Sequence, residues 1–172
     1  MRIIGGRLKG KPVNPPMHYG ARPTTDFARE GLFNVLNNEY EFEGLNVLDL
    51  FGGTGAVSFE FASRMASGVW CVEMSRENAS FIRSEASRLG LDNVTVVHDN
   101  VFDFIPVCKR KFDIIFADPP YQLPRLCELP DLVMGKDILK ENGLFVLEHG
   151  KDQKFEEHPC FVEHRAYGSV NF

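Results

Sequence analysis

Val47-Leu48-Asp49-Leu50-Phe51-Gly52-Gly53-Thr54-Gly55 reads as a buried strand that ends in a carboxylate and turns through three glycines into a helix. Val47, Leu48, Leu50 and Phe51 form the apolar run of a parallel strand covered on both faces, and Ala56 to Met65 continues at helical spacing. Glycine is needed where the backbone takes positive φ or comes close to a ligand, so three within four residues predict an open floor beneath a bound group. A dinucleotide and S-adenosylmethionine both fit such a loop. The dinucleotide pattern G-x-G-x-x-G is only partly matched, with Ser58 at the third glycine position. A carboxylate at Asp49 suits a ligand bearing an ammonium group better than one presenting a pyrophosphate to the helix N-terminus.

Outward from this loop, strands and helices alternate, which predicts an α/β, doubly wound, mostly parallel sheet. Strands are expected at about 45–50, 69–73, 94–98, 112–117 and 143–148, and helices near 56–66, 76–89, 100–107 and 130–140. Residues 161–172, around Gly168, read as a hairpin adding two edge strands. In such sheets ligands lie beyond the carboxyl ends of the strands, and four of those ends carry acids: Asp49, Glu73, Asp99 and Asp118. Glu73 can accept from both hydroxyls of a ribose. Asp99 can accept from the amine of adenine, with Val101 or Phe102 as an apolar wall, or serve as the N-cap of the next helix.

Before the loop the chain changes character. Arg2, Arg7, Lys9, Lys11 and Arg22 stand among the first 25 residues without one acid, although the whole chain has a net charge of −5. A basic arm on an acidic body suits phosphate contacts, which need clustered charge rather than a basic average. Residues 2–13 read as two short strands around glycines, followed by a proline-containing linker. Thr24, Thr25 and Asp26 then offer caps to a helix through about Asn38, with Ala28, Leu32, Val35 and Leu36 as its buried stripe and Arg29 and Phe33 on the opposite side. The division expected is 1–43 as a basic, nucleic-acid-contacting hairpin and helix, and 44–172 as the ligand-binding α/β domain.

Composition excludes other classes. No apolar run approaches the roughly 18 residues of a membrane span, and the start lacks a signal-peptide core, so a cytoplasmic protein is expected. Cys71, Cys108, Cys127 and Cys160 are widely spaced without a C-x-x-C pair, which argues against a disulfide framework and a zinc site.

The chemistry is carried by Phe112-Asp113-Ile114-Ile115-Phe116-Ala117-Asp118-Pro119-Pro120-Tyr121, a buried strand ending in Asp-Pro-Pro-Tyr. An exocyclic base amine is a poor nucleophile because its lone pair is delocalised into the ring. The Asp118 carboxylate and a backbone carbonyl, assigned to Pro119, can accept its two N–H bonds and redirect that pair toward a methyl group. Pro119 and Pro120 fix φ and remove N–H donors, and Tyr121 can stack on an extruded base.

With these motifs the chain resembles the bacterial small-subunit ribosomal RNA guanine-N2 methyltransferases of the RsmD type. The resemblance runs through Arg2-Ile3-Ile4-Gly5-Gly6, Arg22-Pro23-Thr24-Thr25-Asp26, Arg29-Glu30, Leu32-Phe33-Asn34, the glycine loop and Asp118-Pro119-Pro120-Tyr121, although relatives run slightly further along the final strand. It implies a Rossmann-like class I fold with a seven-stranded sheet, S-adenosylmethionine as cofactor, and a guanine of 16S ribosomal RNA as target. The cofactor residues it implies are Asp49, Phe51, Gly52, Gly53, Gly55, Glu73, Asp99, Val101 and Phe102. The RNA residues are Arg2, Arg7, Lys9, Lys11, Arg22 and Arg29. The expectation is a monomer acting on ribosomal RNA within a small-subunit assembly, without metal or membrane. Three other readings remain: an N6-adenine DNA methyltransferase, an NAD-dependent oxidoreductase that leaves Asp-Pro-Pro-Tyr unexplained, and a non-catalytic RNA-binding module.

Overall fold

The computed structural model describes residues 1–16 and 25–172. Its elements are α1 (Asp26–Glu39), β1 (Asn46–Leu50), α2 (Ala56–Ser63), β2 (Gly68–Glu73), α3 (Arg76–Leu89), β3 (Val94–His98), α4 (Val101–Val107), β4 (Phe112–Ala117), α5 (Leu129–Met134), β5 (Leu139–Leu147), β6 (Ala166–Tyr167) and β7 (Val170–Asn171). Five parallel strands pair in the order β3-β2-β1-β4-β5. Alternation along these strands sends Val47, Val69, Cys71, Ile114 and Phe116 to the face covered by α1, α2 and α3. Leu48, Leu50, Val72, Ile115 and Ala117 pack on the other face with residues of α4 and α5. Strands buried on both faces must be apolar at nearly every position, which explains their legibility in the sequence.

The helix ends follow local chemistry. Thr25 caps α1 by accepting from the Ala28 N–H at 3.2 Å, and Ser75 caps α3 by accepting from that of Asn78. α2 is buried on all sides, Phe59 and Phe61 included, and each such side chain contributes about 1.5–3 kcal/mol by leaving water.

Several expectations are corrected. The central sheet has five strands rather than seven, because β6 and β7 form a separate antiparallel pair tied to the end of β5 by one bridge, His149 to Asn171. The hairpin expected over 161–172 is therefore two residues per strand. The helix expected over 130–140 stops at Met134 and β5 starts at Leu139, since Asn142 at φ 60° lets the strand bulge and resume. The N-terminal arm is not two strands. It makes a single bridge, Arg2 to Pro12, flanked by the Ile3 N–H on the Lys11 carbonyl and the Val13 N–H on the Met1 carbonyl, around a 3-10 turn over Gly6–Leu8.

The arm is bolted to α2. Glu60, fully buried, accepts from the Ile4 N–H at 2.5 Å and the Gly5 N–H at 3.3 Å, and pairs with Arg64 and, at 3.4 Å, with Arg29. Ser63 donates to the Gly5 carbonyl and accepts from the Leu8 N–H. Ile3 and Val13 are buried beneath. Among the described residues no helix is long and apolar enough to cross a membrane.

Candidate active site

β1 pairs with β2 on one side and β4 on the other, so the winding of the sheet reverses at β1 and a crevice opens beyond its carboxyl end. Neighbouring strands lie about 4.8 Å apart, which brings the glycine loop after β1 beside the Asp118-Pro119-Pro120-Tyr121 turn after β4. The Asp118 N–H reaches the Leu50 carbonyl at 3.4 Å. Two motifs far apart in sequence thus form one edge.

The three loop glycines have different jobs. Gly55, at φ 76°, is the left-handed cap of α2. A Cβ on Gly52 would collide with the Cys71 sulfur, so that glycine serves close packing against β2 and not an open floor. Gly53, at φ 53°, has space around it, with nothing nearer a built Cβ than the Phe51 carbonyl at 3.7 Å. Phe51 itself takes φ 66°, a conformation that costs a bulky residue about 1–3 kcal/mol and that the surrounding loop enforces.

The strand-end acids divide likewise. Asp49 is buried and accepts from the Ser58 hydroxyl at 2.5 Å. Burial pushes its carboxyl up to about 7, against the stabilising Ser58 bonds and with the Glu73 charge adding to the rise. Glu73 is 8% exposed; one oxygen accepts from the Gly53 N–H at 2.8 Å and the other from the Ser75 N–H at 2.7 Å. Each oxygen keeps acceptor capacity beyond one backbone bond. Asp99 accepts from the Asn100 N–H, but it is not the cap of α4: Asn100 takes that position, bonding the Phe102 N–H at 2.9 Å. Val101 is buried, and Phe102 lies under the Arg125 guanidinium at 4.1 Å.

In the turn after β4, Asp118 is half-buried, Pro119 buried and Pro120 exposed. The Pro120 carbonyl accepts from the Leu123 N–H and closes the turn. Tyr121 is 38% exposed and donates its hydroxyl to Glu148 at 2.8 Å. Glu148, a fifth strand-end acid, went unnoticed in the sequence; the carboxyl-end rule applied to β5 finds it. Met74, an apolar side chain 67% exposed beside Glu73, also escaped notice.

The expected RNA residues do not form one patch. Arg22 lies outside the described residues. Arg29 is corrected outright: it is 1% exposed, with its guanidinium on Asp26 at 2.8 Å, on the Arg2 carbonyl at 2.7 Å and beside Glu60. A helical wheel puts it opposite the apolar stripe, but the arm and α2 cover that side, so Arg29 and Phe33 are both interior. Arg7 donates to the Gly90 carbonyl at the C-cap of α3. That helix starts at the site edge and spans 14 residues, so Arg7 sits roughly 20 Å from Glu73. Lys9 and Lys11 are exposed, and the Arg2 side chain is 71% exposed, 3.7 Å from Asp26.

A cavity of about 480 Å³ lies elsewhere, between β5, α1 and the C-terminal segment, walled by Leu32, Leu144, Phe145, Phe161 and Tyr167. It is apolar and away from the loop edge. Among the described residues no three His, Cys, Asp or Glu side chains are grouped to hold a metal ion.

Residues 1–172 match the family model described as Conserved hypothetical protein 95. Ribosomal RNA small subunit methyltransferase D of Escherichia coli strain K12 is 34% identical over 148 residues, covering 86% of this chain and 74% of that protein. The structure of Escherichia coli yhhF, described as a methyltransferase, superposes with a TM-score of 0.86 at 30% identity over 99% of this chain and 94% of the other. SMU.776, likewise described and complexed with SAH, gives 0.61 at 25% identity over 71% of this chain and 35% of the other. The architecture is accordingly an α/β methyltransferase fold.

Proposed function

The chain belongs to the Conserved hypothetical protein 95 family, and on that premise we propose that it methylates the exocyclic N2 amine of a guanine in small-subunit ribosomal RNA. Its methyl donor is S-adenosylmethionine, which when bound supplies an electrophilic methyl group on a sulfonium. The site fits that molecule on the chain's own features. Gly53 leaves space at the loop, and Glu73 offers acceptor capacity to ribose hydroxyls from an edge it shares with Asp49 and Asp99.

The observation that carries the proposal is the adjacency of the glycine loop and the Asp118-Pro119-Pro120-Tyr121 turn across β1 and β4. One side holds the methyl group and the other holds the amine. The Asp118 carboxylate and Pro119 carbonyl accept the amine's two N–H bonds, which localises its lone pair, and Asp118 takes the proton released as the N–C bond forms and the methyl–sulfur bond breaks, the sulfur leaving as the neutral thioether of S-adenosylhomocysteine. Tyr121 stacks on the extruded base. Arg2, Lys9 and Lys11 supply phosphate contacts along the arm, so residues 1–43 act as the RNA-contacting extension of the catalytic body.

The test is mass spectrometry of nucleosides from small-subunit ribosomal RNA incubated with the protein and labelled S-adenosylmethionine. Label in N2-methylguanosine is expected. Label in N6-methyl-2′-deoxyadenosine from DNA incubated in parallel, and none in RNA, would replace this reading with the adenine one.

A further inference from the structure

Tyr121 is exposed for an aromatic residue in a reaction site, yet three groups from one short segment hold it. Glu148, 3% exposed and fixed by its N–H on the Ala117 carbonyl at 2.8 Å, accepts the phenol hydroxyl. Gly150 passes beneath the ring so closely that a Cβ there would stand 3.2 Å from it. The Gln153 amide donates to the Tyr121 carbonyl at 3.1 Å. Hydroxyl, ring and backbone are therefore all clamped by residues 148–153.

We propose that Glu148 is a positioning residue, acting through Tyr121 to hold the ring axis in one direction before the base arrives. This rests on the stacking role given to Tyr121 above. A tyrosine ring has two rotations to lose: the bond to its hydroxyl, with the backbone held, fixes where the ring axis points, and the Gly150 backbone against the ring limits its turn about that axis. A charge-assisted bond to a buried carboxylate does this more firmly than a bond to water, because the carboxylate has no bulk solvent to turn to. Gly150 has the complementary duty of leaving the ring room to lie in that position. An ordered ring presents its face without the entropy loss that a freely rotating one would incur on each binding event.

Protein labelled with 3-fluorotyrosine reads the ring directly, and Tyr121→Phe identifies its resonance by absence. Glu148→Ala should move that resonance. At saturating methyl donor, kcat should fall about tenfold in Glu148→Ala and in Tyr121→Phe, the size of one charged hydrogen bond, and no further when the two are combined. Glu148→Gln, which keeps an acceptor and the side-chain volume, should stay within about threefold of wild type. An unmoved resonance in Glu148→Ala, or a double variant whose loss is the product of the single losses, overturns the assignment. Wild-type protein that methylates no RNA would sink the proposed function instead, while the fluorine spectrum still decides whether Glu148 holds the ring.

Discussion

Glu60 and Glu73 are both buried carboxylates, and each accepts two backbone N–H bonds: Ile4 and Gly5 for the first, Gly53 and Ser75 for the second. Their settings nevertheless differ. Glu60 lies mid-helix with the Arg29 and Arg64 guanidinium groups against it, so its lone pairs and charge are satisfied inside the protein. Glu73 ends β2, where its two bonds are to loop backbone and no cation among the described residues pairs with it, and the proposed function gives its remaining acceptor capacity to the methyl donor. A buried acid is therefore structural or functional according to what completes its coordination, and burial alone does not say which.

The largest effect expected is on the chemistry proposed at the end of β4, across β1 from Glu73. Asp118→Ala should lower the methyl-transfer rate about 10²- to 10³-fold, the cost of losing an acceptor used in the transition state, with methyl-donor affinity by calorimetry unchanged. Loss of affinity alongside rate would move Asp118 to the Glu73 side of the comparison.

Arg29→Ala tests the opposite side. Removing one partner of a buried ion pair should destabilise the fold by about 3 kcal/mol, the low end of the range because Arg64 still neutralises Glu60. Denaturant unfolding reads the loss, and RNA affinity of the folded fraction should not change. A stable variant with weakened RNA binding would restore Arg29 as a contact residue.

Next comes Glu73→Ala, for which calorimetry should find S-adenosylmethionine bound more weakly by about 1–3 kcal/mol. The same titration on Glu60→Gln should give wild-type affinity. Equal losses in both would erase the distinction.

Asp49 makes the comparison sensitive to pH. Its carboxyl titrates at about 7 in the folded protein against an ordinary 3.8, so the proton is held more tightly folded than unfolded. The stability this contributes is complete below the unfolded value and is lost as pH rises through about 7, which melting temperatures of wild type and Asp49→Asn should show as curves converging or crossing over that interval. A ligand ammonium near Asp49 would pull the carboxyl back down, so binding should release protons near neutrality. Titrations in buffers of different ionisation enthalpy would detect this, and zero proton release would remove Asp49 from the ligand's surroundings.

The smallest effect concerns the exposed arm. Replacing Lys9 and Lys11 by alanine should flatten the salt dependence of single-stranded RNA binding, measured as log K against log salt, by about 0.7 for each phosphate no longer neutralised. An unchanged slope would place the RNA surface elsewhere.

What the chain declares locally was readable in advance. The strand cores, the cap at Thr25, the glycine loop and the Asp118-Pro119-Pro120-Tyr121 turn depend on residues adjacent in sequence, through periodicity, capping and restricted φ. Placing the loop and the turn at one edge needed only the rule that ligands gather at strand ends. The interior side of Arg29, the packing role of Gly52, the Asn100 cap in place of Asp99, and the hold of Glu148 on Tyr121 were settled by partners distant in the chain, or by a neighbour competing for the same bond. The five-stranded count also belongs here, since pairing of β6 and β7 with each other rather than with β5 is a choice between distant edges. Sequence determined which groups this protein has to offer. Only the fold decided which of them it spends on itself, because a hydrogen-bonding or charged group buried by a distant segment must be satisfied there, and is then no longer available to a ligand.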